Sequence, residues 1–184
     1  MRVNRVRIIG GAWRSRLVPF PPRPDLRPTP DRVRETLFNW LGQDLTGKTC
    51  LDLFAGSGAL GFEAASRGAR RVVMVERDPV VFRALAASRA VLDAAVVELR
   101  RADALEFLRA DGGVYDVVFV DPPYRSDLWP RVAPLLARQL APGALVYLES
   151  AGRAGPPPGW EMWRQGRAGQ VAYQLLKRAE GALP

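Results

Sequence analysis

The chain has 184 residues, 48% hydrophobic and 25% charged, with 27 Lys and Arg against 19 Asp and Glu for a net charge of +8. A chain of this size buries roughly 70% of its extended surface around a core, and its composition excludes disorder and collagen-like repeats. One cysteine, Cys50, and no histidine exclude a disulfide framework, a Cys/His zinc site and any histidine-based triad. Chemistry must therefore come from carboxylates, tyrosine, backbone groups or a bound cofactor, and no metal is expected.

Residues 5–20, RVRIIGGAWRSRLVPF, read as two short strands around Gly10-Gly11. PPRPDLRPTP follows, a basic proline-rich stretch that can be neither helix nor central strand, and so reads as a stiff extended arm. Thr29-Pro30 reads as N-cap and first residue of a helix running to about Leu41, with Val33, Leu37, Phe38, Trp40 and Leu41 on its apolar face. From Thr49 onward strands and helices alternate. Strands are expected at 50–54, 71–76, 96–100, 115–120 and 144–150. Helices are expected at about 57–67, 80–92, from Ala104, and at 128–140. This succession predicts βαβ units and a parallel sheet with helices on both faces. After GPPPG, the segment EMWRQGRAGQVAYQLLKR has no helix and reads as a hairpin turning at Gly166 to Gly169, which makes one strand antiparallel. A single Rossmann-like α/β domain over 1–184 is expected: a basic extension (1–41), a cofactor-binding core (49–150) and a terminal hairpin (159–178).

The charge is segregated. Residues 1–40 hold nine arginines and three acids, residues 41–150 hold 13 cations and 14 acids, and residues 151–184 hold five cations and two acids. Positive ends on a near-neutral middle attract phosphate backbones. Arg14, Arg16, Arg23 and Arg27 are the candidates for nucleic-acid phosphates, against solvated surface as the alternative. No apolar run reaches the ~20 residues of a membrane span, and MRVNRVRIIGG lacks the apolar stretch of a signal peptide. A cytoplasmic location is expected.

LDLFAGSGALG (51–61) joins the first parallel strand to its helix, with Gly56, Gly58 and Gly61 as G-x-G-x-x-G. Such a loop lets a ligand approach the backbone at the sheet's carboxyl edge. An acid after the second strand then receives ribose hydroxyls, and Glu76 holds that place. The loop alone fits a dinucleotide as well as S-adenosylmethionine. Asp52 points to the second, because a carboxylate there suits a cationic ligand and repels a pyrophosphate. Asp103, after the third strand, can cap its helix, accept from an adenine amine, or both.

YDVVFVDPPYR (115–125) ends a buried strand in a rigid turn. Pro122 forces Asp121 to be extended, and neither proline has an N–H. Read blandly, this is a strand exit with a solvated aspartate. Read chemically, Asp121 and the Pro122 carbonyl take the two N–H groups of an exocyclic amine while Tyr124 stacks on the base, for roughly 1–3 kcal/mol. Holding both N–H groups aims the nitrogen lone pair at a methyl donor, and Asp121 offsets the charge developing on nitrogen. This motif does not distinguish guanine from adenine.

The blocks RIIGGAWRSR, RPTPDRVRETLFNWL, LDLFAGSGALGFEAASRGA, VERD and DPPY, in this order over residues 5 to about 150, resemble the RsmD family of bacterial 16S rRNA guanine-N2 methyltransferases. The N-terminal blocks carry the assignment. The resemblance implies a class I methyltransferase with a seven-stranded sheet ending in an antiparallel hairpin, S-adenosylmethionine as cofactor, and a guanine of 16S rRNA in a small-subunit particle as target. It implies that Asp52, Phe54, Ala55, Gly56, Ser57 and Gly58 line the cofactor, with Glu76 and Arg77 at its ribose and Asp103 and Ala104 near its adenine. Asp121, Pro122 and Tyr124 would hold the base. Thr29, Arg32 and Glu35 match a helix block that looks like part of a cofactor lid. A monomer suffices. Competing readings are an adenine-N6 methyltransferase, an NAD-dependent oxidoreductase and a non-enzymatic RNA-binding assembly factor.

Overall fold

Runs such as RVVMV and YDVVFV are buried on both faces, as strands inside a parallel sheet must be. In the computed structural model, which describes residues 3–123, 128–151, 156, 158–179 and 181, these runs form the centre of a seven-stranded sheet. β1 (Asn4–Arg7) and β2 (Leu17–Phe20) make a separate antiparallel hairpin, and α1 (Asp31–Trp40) follows the proline-rich arm. Then come β3 (Thr49–Asp52), α2 (Ala59–Ser66), β4 (Arg71–Val75), α3 (Pro79–Val91), β5 (Val97–Arg100) and α4 (Ala104–Ala110). The chain continues through β6 (Tyr115–Val120), α5 (Trp129–Leu136), β7 (Leu140–Ala151), β8 (Trp160–Ala168) and β9 (Val171–Arg178). The sheet order is β5-β4-β3-β6-β7-β9-β8. β3 to β7 pair in parallel, while β9 pairs antiparallel with both β7 and β8.

Period-two alternation divides each central strand between two cores. One face carries Cys50, Phe119, Tyr147 and Leu175, covered by α1, α2, α3 and the N-terminal hairpin through Phe38, Phe62, Leu85 and Val18. The other carries Leu51, Val73, Val118 and Leu148, covered by α4 and α5 through Leu105, Val132 and Leu136. Cys50 is fully buried, and desolvation pushes its thiol up to about 12. Among the described residues no helix is long and apolar enough to cross a membrane.

The N-terminal extension is bolted to the core by one buried carboxylate. Glu63 on α2 is 0% exposed. It accepts from the Ile9 and Gly10 N–H groups at 2.9 and 2.8 Å and from Arg67 Nε at 2.9 Å. It also accepts from Arg34 Nη1 of α1 at 3.2 Å. Arg34, itself 0% exposed, also donates to the Thr29 carbonyl at 3.1 Å and to Asp31 at 2.6 Å. Asp31 also takes Arg7 at 2.9 Å; burial pushes its carboxyl up, but the combined hydrogen bonds and charges of Arg7 and Arg34 outweigh this and hold it below the usual range. Each charge is thus satisfied from several sides, which a buried ion needs in order to persist.

Three boundaries differ from expectation. The N-cap of α1 is Pro30, with φ −56° and ψ 147° and no side-chain cap, because the Thr29 hydroxyl is used elsewhere. α5 stops at Leu136, and Leu140 already pairs with Tyr115 in β7. Gln139 enforces that turn, donating to the Leu108 and Asp111 carbonyls at 2.7 and 2.8 Å. The last hairpin turns at Gly169-Gln170, a tighter turn than the expected span from Gly166 to Gly169. Gly166 stays in β8 opposite Tyr173, where any Cβ would collide with the tyrosine ring.

Replacing Glu63 by Gln leaves Arg34 and Arg67 short of a counter-charge in a dry site, which costs about 3 kcal/mol. Urea unfolding of Glu63→Gln should show a lowered midpoint with an unchanged slope. A midpoint equal to wild type would remove the buried lock from the account.

Candidate active site

Strand order reverses between β3 and β6, and ligand crevices form at such a switch point, outside the strands' carboxyl ends. A cavity of about 740 Å³ lies there, within the range of about 300–1,000 Å³ typical of ligand sites. Its polar lining includes Asp52, Glu76, Asp103, Asp121 and Glu149. Arg23, Arg27, Arg77 and Arg131, all exposed, stand at its edges. The result is an acidic floor beneath a basic rim.

Asp52 closes β3 and is 2% exposed. Its Oδ2 accepts from the Gly61 N–H at 2.9 Å, tying the strand end to the first turn of α2. Burial, with Glu76 adding repulsion, pushes the Asp52 carboxyl up to about 7. Between strand and helix, Gly56 and Gly58 take φ of 50° and 79°, the left-handed region that favours glycine. The Gly56 N–H donates to Glu76 Oε2 at 3.0 Å, and Glu76 Oε1 accepts from the Asp78 N–H at 2.7 Å. Glu76 thereby splints the glycine loop to the end of β4. Asp103 caps α4 through Oδ1 alone, accepting from Leu105 and Glu106 N–H at 2.9 and 3.3 Å. Its second oxygen takes no part in the cap.

Phe54, Ala55, Gly56, Ser57 and Ala104 also line the cavity. Gly58 does not. A Cβ there would lie 2.6 Å from Phe62 and 2.8 Å from Leu85, so its small size serves the packing of α2 against α3. Arg32 and Glu35 are likewise outside the cavity. α1 buries Val33, Arg34, Leu37 and Phe38, which leaves residues 32 and 35 exposed on its outer side. Glu35 lines a separate shallow depression with Arg14. Arg16 is exposed on the loop after β1. Arg23 pairs with Asp78 at 3.3 Å, which pins the proline-rich arm to the start of α3. Tyr124 lies outside the described residues.

At the end of β6 Asp121 meets a partner that the sequence did not single out. Val120 pairs with Leu148, so Glu149 on β7 lies level with Asp121. The two carboxyls act on each other's proton affinity, and the Thr29 hydroxyl, close to both, lowers it for each. Tyr147 donates its hydroxyl to Glu149 Oε1 at 2.7 Å. Burial, then repulsion from Glu149 and Asp52, holds Asp121 well above the usual carboxylate range. Burial also raises Glu149, opposed by its hydrogen bonds from Tyr147, Thr29 and Asp121. Pro122 lines the cavity beside them. Glu149 reads in sequence as an ordinary strand exit, ALVYLES, and only strand register reveals it. Arg131, near the start of α5, carries no sequence signal for its place on the rim.

The order of this sheet, its final antiparallel hairpin and the switch-point cavity define a class I methyltransferase fold. The sequence matches the family described as "Conserved hypothetical protein 95" over residues 6–177. It is 46% identical over 180 residues to the Escherichia coli protein named Ribosomal RNA small subunit methyltransferase D, covering 95% of this chain and 91% of that one. A solved Escherichia coli structure described as the putative methyltransferase yhhF superposes with a TM-score of 0.86 at 45% identity, covering 95% and 98% of the two chains. An RNA methyltransferase from Salinibacter ruber, solved in complex with S-adenosyl-L-homocysteine, superposes with a TM-score of 0.65 at 25% identity, covering 86% and 97%. The chain belongs to the RsmD family of rRNA small-subunit methyltransferases.

Folding raises the Asp52 pKa from 3.8 to about 7. The fold therefore favours the protonated form, and that contribution is complete below about pH 4 and lost as pH rises through about 7. Unfolding titrations on the ligand-free protein should show wild type losing about 2–4 kcal/mol relative to Asp52→Asn between pH 4 and 7. Parallel stability profiles for the two proteins would contradict the burial argument.

Proposed function

We propose that the chain transfers a methyl group from S-adenosylmethionine to the exocyclic N2 amine of a guanine in 16S rRNA, acting as a cytoplasmic monomer on a small-subunit particle or assembly intermediate. The observation that carries this reading is the meeting of Asp121 and Pro122 with an acidic cavity at one switch point. Family membership and the names of its relatives support it. The S-adenosyl-L-homocysteine bound in the Salinibacter ruber protein, the product that S-adenosylmethionine leaves after methyl transfer, supports the cofactor.

The residues present fit that cofactor. Asp52 and Glu76 place carboxylates where a ligand carrying positive charge and ribose hydroxyls needs them, and the free oxygen of Asp103 is an acceptor for an adenine amine. Glu76 uses one acceptor position on each oxygen for the backbone, and a carboxylate offers about four. Leu26 from the proline-rich arm closes over the glycine loop, so that a Cβ at Gly56 would come within 2.8 Å of it. When bound, the cofactor supplies an electrophilic methyl on a sulfonium centre and leaves as a neutral thioether.

The remaining work belongs to the chain. The Asp121 carboxylate and the Pro122 carbonyl receive the two N–H groups of the target amine, which orients its lone pair. The charge on Asp121 then stabilises the cation developing on nitrogen, an interaction stronger in the transition state than before it. The surplus proton passes to the Asp121 carboxyl, whose raised proton affinity suits the task. A base splayed out of its stack reaches this floor past Arg23, Arg27 and Arg131, which take the flanking phosphates.

Incubation with unmethylated small subunits, followed by nucleoside mass analysis, should yield N2-methylguanosine, and Asp121→Ala should lower the rate about 10²–10³-fold. Methylation of adenine alone would contradict the assignment. RNA affinity should fall with salt at a log–log slope near −0.7 per phosphate contact. A flat response would make the rim arginines bystanders.

A further inference from the structure

An aspartate and a carbonyl can hold the two N–H groups of any exocyclic amine, so the end of β6 does not by itself choose a base. The neighbouring ring position makes the choice. Beside its N2 amine guanine carries an N1–H donor, whereas beside its N6 amine adenine carries the N1 lone pair. A group level with Asp121 on the next strand faces that position, and register puts Glu149 there.

We propose that Glu149 is the specificity-determining residue of the site, its carboxylate accepting the N1–H of the target guanine while Asp121 and Pro122 hold the N2 amine. The proposal rests on the methyl-transfer reading above and deepens it.

Four observations support it. Glu149 lines the same cavity as Asp121 and Pro122. The Tyr147 hydroxyl fixes Glu149 Oε1 at 2.7 Å, and Tyr147 is itself fully buried between Phe119 and Tyr173 at 6.5 Å from each ring. The carboxylate therefore sits on a rigid post. The Thr29 hydroxyl, just before α1, lowers the proton affinity of both carboxyls, and Asp52 is a further charge acting on Asp121. Finally, the two carboxyls stand side by side at the end of β6, and the charge of Glu149 raises the proton affinity of Asp121. Two adjacent acceptors of this kind need donors. Guanine brings two adjacent donors to them, N1–H and N2–H. Adenine would bring a lone pair against a carboxylate, which is unfavourable on both sides.

The test uses small-subunit particles rebuilt with RNA carrying either guanine or 2-aminopurine at the methylated position. 2-Aminopurine keeps the N2 amine but has no N1–H. The isosteric Glu149→Gln variant is compared with wild type on both, and retained S-adenosylhomocysteine affinity checks its integrity. Wild type should favour guanine, and Glu149→Gln should shrink the guanine-to-2-aminopurine ratio of kcat/KM by about 10- to 100-fold, the discrimination expected of a paired base contact. Taking a ratio of ratios cancels the intrinsic reactivity of the two amines. If Glu149→Gln slows both substrates equally, or neither, Glu149 does not read N1–H and the inference falls while the methyl-transfer reading stands. If wild type methylates neither particle, it is the methyl-transfer reading that fails.

Discussion

Everything at the active edge of this protein is referred to one buried carboxylate. Glu63 sits on the helix that leaves the glycine loop, and it gathers donors from the loop after β1, from α1 and from its own helix. Placing a charge at 0% exposure is costly unless it is fully paired. Here the pairing partners come from parts of the chain that share no strand of the main sheet. The bonds that satisfy Glu63 thereby fix where the N-terminal extension lies. Arg34 carries the constraint onward by gripping the Thr29 carbonyl, and Thr29 then presents its hydroxyl to Asp121 and Glu149. A path of charge-assisted bonds runs from the back of α2 to the front of β6 and β7.

The sheet supplies the other half of the arrangement. Parallel pairing brings the carboxyl ends of β3, β4 and β6 level with the stretch of β7 around Glu149; Asp52, Glu76 and Asp121 stand at or just past their strand ends, and Glu149 sits within β7 beside Asp121. Clustered acids in a buried place repel one another and hold protons. That disfavours the empty site and suits ligands that bring positive charge or N–H donors. The exposed arginines of the rim have the opposite preference. A substrate that is polyanionic along its backbone and rich in donors at its base edge meets both demands. That describes RNA entering with one base turned inward.

Much of the fold was legible because valine-rich runs such as RVVMV and the prolines of DPPY leave little conformational choice. Asp121 stood out for the same reason, since Pro122 dictates its backbone. Other features were hidden by tertiary context. Thr29-Pro30 has the local form of a helix cap, yet two carboxyls from distant strands engage the hydroxyl. Arg34 looks like a solvated charge on a helix and is fully buried, because its three polar partners come from residues 29, 31 and 63. Gly58 fits a ligand-loop pattern, yet the rings and methyls of Phe62 and Leu85 explain its small size. Glu149 has no local signature, since its importance lies in the residue beside it on the next strand. Periodicity reports on one element at a time, and these residues act between elements.

The central claim is that the N-terminal extension, through Thr29, stabilises the ionised form of the Asp121–Glu149 pair. Carbon-13 NMR titration of the two side-chain carboxyls in wild type and Thr29→Val tests it most directly. Loss of the donated hydroxyl should move the titration of the pair to higher pH, because the hydroxyl lowers the proton affinity of both groups. Titration curves unchanged by the substitution would show that the extension covers the site without acting on it.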